Sequence, residues 1–212
     1  MLHAVEDEPC RCVRVMHVLS YPSMKAIRAF IAIKIPESVQ AKLQGVQDKL
    51  KQADAHVSWV KPANIHLTLK FLGNIEEAQI PALTKSLQES VKTVSPFQLQ
   101  IGYAGAFPNL RYPRVVWIGV TDDEQDSLRT LQEDLAARLA KLGFKQESGR
   151  FKPHLTLGRV RSQKNRSNLL RAVEAIVNIW VGEISVDAIY LIQSELKPSG
   201  AEYTDLATIP IV

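Results

Sequence analysis

The chain has 212 residues and a formal net charge of +4, with 46% hydrophobic and 23% charged residues. This length suffices for one domain, or for two small lobes, with a substantial buried core, and the composition is ordinary for a globular protein. No apolar run approaches the roughly 18 residues of a membrane-spanning helix, so we expect no membrane partner. The positive charge is compatible with a polyanionic ligand but is too small to indicate one by itself.

The first 23 residues differ in composition from the rest of the chain. They contain both cysteines, Cys10 and Cys12, and an acidic run, but no apolar stretch of signal-peptide length. A Cys-x-Cys pair without other nearby ligands is weak evidence for a metal or a disulfide. We therefore predict a flexible N-terminal extension over residues 1–23 and a single folded domain over residues 24–212. That domain contains no cysteine, and cytoplasmic localisation is the expectation.

Hydrophobic periodicity predicts a strand, a helix and two further strands at the start of this domain. Residues 28–35 form the apolar run of a buried strand, and Pro36 suits the start of a helix that extends to about residue 52. A short strand at 57–60 and a turn lead into a longer strand that ends at Gly73. A second amphipathic helix follows at 76–91.

The second half of the chain repeats this alternation of strands and helices. The helix at 123–142 has the clearest apolar spacing, with Asp122 or Asp123 as its N-cap and Gly143 just after its end. Several strands are joined by hairpin-length links, which favours antiparallel sheet. The order of elements around each half indicates a loose internal duplication. The other predicted elements are strands at 97–107 and 114–120, a strand containing His154, a helix at 168–177, and strands at 183–193 and 202–209.

One tetrapeptide, His-Leu-Thr-Leu, occurs twice, starting at His66 and at His154. Its alternation is typical of a half-buried strand, in which side chains two residues apart share a face. In the first copy this alternation places Thr68 and Lys70 on the face of His66, and Phe71 on the opposite face. A single copy would be an ordinary structural feature, whereas two copies in similar apolar settings raise the hypothesis of a paired functional site, with two structural histidines as the alternative.

Paired imidazoles on two strands suit general acid–base chemistry, for example the hydrolysis of a phosphate diester. Such a reaction needs water deprotonated on one side of phosphorus and the leaving oxygen protonated on the other. With a pKa near 6.5, one imidazole can be neutral while the other is charged. The hydroxyls of Thr68 and Thr156 could donate hydrogen bonds to the non-bridging oxygens. Zinc is the alternative for paired histidines, but it would need further ligands. Neither motif contains an acidic residue, so we expect no metal and no other cofactor.

The residues around both motifs resemble one branch of the two-histidine phosphoesterase superfamily, the RNA 2′,3′-cyclic phosphodiesterases, historically named 2′-5′ RNA ligases. The resemblance runs from about Met24 to the C-terminus. It implies an α+β fold of two pseudo-symmetric lobes, mainly of antiparallel sheet with outer helices, that face each other across an active-site cleft. The segments that carry the resemblance are residues 28–33, 59–73, 151–159 and 194–203.

The resemblance also implies the reaction. We expect a metal-independent enzyme that opens RNA 2′,3′-cyclic phosphate ends to 2′-phosphates, with His66 and His154 as its catalytic residues. One alternative is an ATP-independent 2′-5′ RNA ligase that runs the reaction backwards. Another is a non-catalytic nucleotide- or RNA-binding module, against which the retention of both histidines and both threonines argues. The expected partner is RNA with a cyclic phosphate end, or a related cyclic nucleotide, and we expect the protein to be a monomer.

Two further residues are predicted to bind the substrate. In the resembled family an arginine at the position of Arg159 contacts the phosphate. Strict alternation places Arg159 on the face opposite His154, but Gly158 can mark a β-bulge that re-aims its neighbour. A solvated charge at a strand end is the alternative. Phe30 is predicted to stack on a terminal base, with a place in the core as its alternative.

Overall fold

The computed structural model describes residues 26–122, 125–146 and 149–212, so the predicted extension over residues 1–23 lies outside the described residues. Four α-helices occur in these ranges: α1 (Glu37–Lys51), α2 (Ile80–Val91), α3 (Ser127–Lys141) and α4 (Arg166–Glu174). Two 3₁₀ helices, Pro62–Asn64 and Glu77–Gln79, precede the first motif strand and α2. The strands are β1 (Ile27–Lys34), β2 (Val57–Trp59), β3 (His66–Ile75), β4 (Phe97–Phe107), β5 (Val115–Thr121), β6 (His154–Val160), β7 (Trp180–Val186), β8 (Ala188–Lys197) and β9 (Gly200–Pro210).

These strands form one antiparallel sheet in the order β7-β4-β5-β6-β3-β1-β8-β9, with β2 paired to β6. β7 is an edge strand and β8 lies near the opposite edge, yet the single residue Asp187 joins them. A sheet with such a short link must curl, and it forms a half-barrel. The prediction of one continuous strand over 183–193 is therefore wrong, because at Asp187 the chain crosses from one half of the sheet to the other.

The sheet consists of two halves with the same connectivity. The series β1-α1-β3-α2 in the first half corresponds to β5-α3-β6-α4 in the second. In each half the motif strand pairs antiparallel with the strand that precedes the first helix of the series. The halves meet at β3 and β6, which are in register at the single pair Leu67 and Leu155. The predicted α+β fold of two lobes is confirmed, and the cleft opens where these strands diverge.

The main core lies between the sheet and the helices. Leu67 and Leu155 from the motif strands are fully buried together with Leu43, Leu83 and Leu131 from the first three helices. Burying one such side chain contributes about 1.5–3 kcal/mol, so the apolar positions of the two motifs anchor the strands that carry the histidines. No helix in the described ranges is both long and apolar enough to cross a membrane.

Helix α3 begins later than its periodicity predicts. Its first residue is Ser127, and Asp126 occupies the N-cap position. The predicted capping residue Asp122 still contributes, because its carboxylate accepts hydrogen bonds from the backbone N–H groups of Leu128 and Arg129, both at 2.9 Å. The alternative cap, Asp123, lies outside the described residues.

Candidate active site

The histidines and threonines of the two motifs meet on one face of the sheet. Because β3 and β6 are antiparallel and in register at Leu67 and Leu155, His66 and Thr156 flank that pair on one side. Thr68 and His154 flank the leucine pair on the other side. Both leucines are fully buried in the core, so their neighbours along each strand face the cleft. The two motifs thus form one approximately two-fold symmetric site.

In each motif the backbone two residues earlier holds the histidine ring. Nδ1 of His66 lies 2.8 Å from the carbonyl oxygen of Asn64, and Nδ1 of His154 lies 2.8 Å from that of Lys152. A carbonyl oxygen only accepts hydrogen bonds, so Nδ1 donates in both rings and carries the proton. Nε2 of each ring can then accept a proton when the ring is neutral and donate one when it is charged.

Both imidazoles have pKa values below the ordinary value for histidine. Burial is the main cause for His66, where the carbonyl of Asn64 opposes the shift and the charge of His154 adds to it. Burial also lowers the pKa of His154, where the carbonyl of Lys152 opposes the shift and the charge of Arg159 adds to it. The contribution of His154 indicates that the two rings are close enough for His66 to sense the charge of His154.

Phe30 lies behind His66 and has no free face for a base. Its ring stacks on His66 with centroids 4.6 Å apart and meets Tyr203 edge-on at 5.2 Å. It is only 3% exposed and packs with Ala32 and Ile192 in a small cluster separate from the main core. This burial contradicts the predicted base stacking and agrees with the core alternative. Phe30 and Tyr203 instead fix the orientation of the His66 ring.

A β-bulge in β6 brings Arg159 to the cleft. The register between β5 and β6 skips Leu157, so Leu157 and Gly158 are both buried whereas Arg159 is exposed. The charge of Arg159 lowers the pKa of His154 and counteracts the burial that raises the pKa of Tyr203. Its guanidinium therefore lies beside the site. The predicted bulge is confirmed, and contact with a phosphate stays a prediction.

Buried Gln47 of α1 supports this bulge. Its Nε2 donates hydrogen bonds to the carbonyl oxygens of Leu157 at 2.9 Å and Val60 at 2.8 Å, and its side chain is almost fully buried. The sequence analysis did not identify this residue. Its position four residues after Leu43, on the apolar face of the helix, was the available signal, because a polar group on a buried face needs a partner.

A second bulge changes the outer half of β3. The register between β1 and β3 skips Leu69, so the next residue, Lys70, is buried and donates a hydrogen bond from Nζ to the carbonyl oxygen of Lys145 at 2.7 Å. Phe71 is 57% exposed. The predicted alternation is therefore wrong beyond Leu69, and Lys70 does not share the open face of the motif threonine.

His154 borders an open cavity that the sequence analysis did not foresee. The cavity has a volume of about 330 Å³ and is lined by Tyr103, Phe107, Trp117 and residues 150–154. Phe107 meets the His154 ring edge-on with centroids 4.8 Å apart. Glycines within β4 and β5 were the available signal, because glycine inside a strand often marks a close approach of another group.

The site has no metal-binding cluster within the described ranges. No group of three or more His, Cys, Asp or Glu side chains there is arranged to hold a metal ion. Aromatic rings contact both motif histidines, and the charged side chains placed near His154 are the basic residues Arg150, Lys152 and Arg159.

The sequence model of one protein family, LigT like Phosphoesterase, matches this chain twice, over residues 33–117 and 118–203. Each match contains one of the two His-Leu-Thr-Leu motifs. The chain belongs to the LigT-like phosphoesterase family. The two successive matches also confirm the internal duplication that the order of the elements indicates.

This phosphoesterase has close relatives along nearly all of its described length. It is 39% identical over 180 residues to the RNA 2′,3′-cyclic phosphodiesterase of Methanothermobacter thermautotrophicus, which covers 85% of this chain and 96% of the relative. A protein of the same name from Aquifex aeolicus is 36% identical over 186 residues, covering 85% of this chain and 95% of the relative. The structure of E. coli LigT complexed with 3′-AMP superposes with a TM-score of 0.70 at 26% identity, covering 89% of this chain and 99% of that chain. The predicted family and fold are confirmed.

Proposed function

We propose that this phosphoesterase hydrolyses RNA 2′,3′-cyclic phosphate ends to 2′-phosphates, with His66 and His154 as its general acid and base. The observation that carries the proposal is the two-fold arrangement of two imidazoles, each with Nδ1 held by a carbonyl and Nε2 left for proton transfer. The names of the relatives and the 3′-AMP complex of E. coli LigT support a nucleotide phosphodiester as substrate.

The reaction needs one proton removed and one supplied on opposite sides of phosphorus. One imidazole takes a proton from water, and the water oxygen forms a bond to phosphorus. The bond from phosphorus to O3′ breaks, and the second imidazole protonates O3′, so the phosphate stays on O2′. Each histidine ends in the protonation state in which the other began.

The threonines and Arg159 stabilise the charge that develops on the phosphate. In the described part of the chain neither Thr68 nor Thr156 uses its hydroxyl in a hydrogen bond to another residue, so both can donate to non-bridging oxygens. Such donors act strongly in a partly buried site because less water competes. The guanidinium of Arg159 offers charge-assisted hydrogen bonds to the same group.

The chemistry requires no metal, because the two imidazoles supply both proton transfers. It also requires no second subunit, because one chain carries both motifs. We therefore propose a metal-independent enzyme that is active as a monomer.

The test is turnover of an oligonucleotide that ends in a 2′,3′-cyclic phosphate by the wild type, His66→Ala, His154→Ala and the double variant. Each single substitution should lower kcat by roughly 10²–10⁴, the scale of a positioned acid or base. Both histidines act in one transition state, so the second substitution should cost much less than it does alone. Phosphorus NMR of the product should show the phosphate on O2′.

The other possible results of this experiment would each contradict one part of the proposed function. A 3′-phosphate product would contradict the proposed choice of leaving oxygen. Near-wild-type turnover of one single variant would make that histidine structural, and no turnover by the folded wild type would favour the nucleotide-binding module. Faster joining to an RNA 5′-hydroxyl than hydrolysis would make the ligase the main activity. Melting temperatures of all variants check that they are folded.

A further inference from the structure

The two lobes differ in what lies beside their histidines. In the first lobe Phe30 of β1 stacks on His66 and leaves no space. β5 occupies the corresponding place in the second lobe, but its Trp117 is tilted relative to His154, with centroids 6.3 Å apart. The cavity of about 330 Å³ lies on this side. The surroundings of the two imidazoles therefore differ, because an open space adjoins His154 on the side where His66 has the ring of Phe30.

The chain positions Tyr103 at this space through a bulge in β4. The register between β4 and β5 skips Tyr103, and its backbone is left-handed, with φ of 44°. Its ring covers Gly119, where an added Cβ would lie 1.9 Å from the ring. Gly119 pairs with His154 across β5 and β6, and the Tyr103 ring lines the same cavity as His154, with 40% of Tyr103 exposed.

A second glycine accommodates Trp117 in the same wall. A Cβ added at Gly105 would lie 2.3 Å from its indole. The indole meets Tyr103 edge-on at 5.7 Å between centroids, and Phe107 lies 5.1 Å from it. Three aromatic rings therefore form one continuous surface that reaches His154.

We propose that this cavity binds a nucleobase of the RNA. Aromatic surfaces stack on bases of any sequence, and the volume falls in the range of small-molecule pockets. Arg150 and Lys152 also line it, and their charges suit the phosphates next to a base.

This inference rests on the proposed function, which places the reacting phosphate between His66 and His154. The base belongs either to the nucleotide that carries the cyclic phosphate or to a second nucleoside whose 5′ oxygen lies on the His154 side of phosphorus. Two pairs of ligands distinguish these sources, and binding is measured by calorimetry so that the result does not depend on turnover.

The first pair is adenosine 2′-phosphate and ribose 2-phosphate, which lacks the base. The second pair is 3′-deoxyadenylyl-(2′-5′)-adenosine, which cannot cyclise because it has no 3′-hydroxyl, and its analogue without the second base. In at least one pair the wild type should bind the ligand with the base about 5- to 150-fold more tightly, the scale of stacking on one base. The pair that shows this difference identifies the source.

The test variant is Tyr103→Asn, because asparagine tolerates the left-handed backbone while removing the ring. In this variant the ratio of the affinities for the ligands with and without the base should fall below about threefold, since the stacking surface is lost. Tyr112→Asn is the matched control, because Tyr112 is 51% exposed and does not line the cavity. Phe107→Leu should act in the same direction and serves if Tyr103→Asn does not fold.

Equal binding with and without the base in both wild-type pairs would overturn the inference. An undiminished contribution of the base in folded Tyr103→Asn and Phe107→Leu would do the same. Failure of the proposed function would appear separately, as absent turnover of the cyclic-phosphate oligonucleotide by the wild type.

Discussion

At the scale of single residues, the burial of the two imidazoles predicts the pH dependence of the proposed reaction. Burial lowers the pKa of both His66 and His154, so both rings are mostly neutral at pH 7, above their pKa values. The proposed mechanism needs one charged ring, and the fraction of enzyme with one charged ring falls as the pH rises through the higher of the two pKa values. We expect kcat/KM of the wild type to be highest on the acidic side of about pH 6.5 and to decline toward pH 8. A maximum above pH 7 would contradict this.

Arg159 should contribute both to binding and to the pKa of its neighbour. Arg159→Ala should lower kcat/KM by about 10- to 150-fold, which corresponds to about 1.5–3 kcal/mol for a hydrogen bond to a charged group. The charge of Arg159 lowers the pKa of His154. Its loss should therefore raise that pKa and shift the corresponding limb of the pH profile of kcat/KM to higher pH. The control is Arg161→Ala, because Nε of Arg161 donates a hydrogen bond to Ser58 Oγ at 2.9 Å, away from the histidines and threonines of the two motifs. Kinetics within twofold of the wild type would indicate a solvated Arg159.

At the scale of elements, the orientation of the second motif strand depends on the side-chain amide of Gln47 in α1. Gln47→Met removes the donor that serves the carbonyls of Leu157 and Val60. The free energy of unfolding in urea should fall by about 1–3 kcal/mol, because the carbonyls of Leu157 and Val60 each lose a hydrogen bond. kcat/KM should also fall as the bulge that directs Arg159 relaxes. Gln44→Met, on the exposed side of the same helix, should change neither quantity. Unchanged stability of Gln47→Met would show that the bulge is held without this amide.

The bulges also show where strand patterns stop being informative. Alternation holds for the motif tetrapeptides, whose apolar residues are buried as predicted. It fails one residue later at Lys70, because the register with β1 skips Leu69. A bulge depends on the partner strand, which the local sequence does not contain. Gly158 is an exception, since glycine within a strand is itself a signal for a bulge.

At the scale of the whole molecule, the proposed mechanism predicts indifference to metals. Neither imidazole has neighbours that would complete a metal site within the described ranges. After dialysis against EDTA, kcat/KM on the cyclic-phosphate oligonucleotide should stay within twofold of its starting value. Added Mg²⁺ or Zn²⁺ should not raise it. Loss of activity on chelation, with recovery on adding one divalent ion, would contradict the mechanism of two imidazoles alone.

The sequence by itself determined the parts of this protein that depend on neighbouring positions along the chain. The helices follow from apolar residues at helical spacing, and the motif strands follow from alternation. The pairing of His66 with His154 follows from the repetition of one tetrapeptide in two similar halves. These features are local or repeated, so the pattern alone carries them, and the resemblance of the flanking segments adds the family.

The tertiary structure decided which side chains are open to a ligand. Phe30 is buried because Tyr203, which is distant in sequence, packs against it. The strand predicted through Asp187 divides because its two ends pair with different halves of the sheet. Tyr103 and Trp117 form a wall of the cavity because a bulge and two glycines bring their rings together. Each outcome depends on contacts between segments far apart in the chain, which periodicity within one segment does not encode.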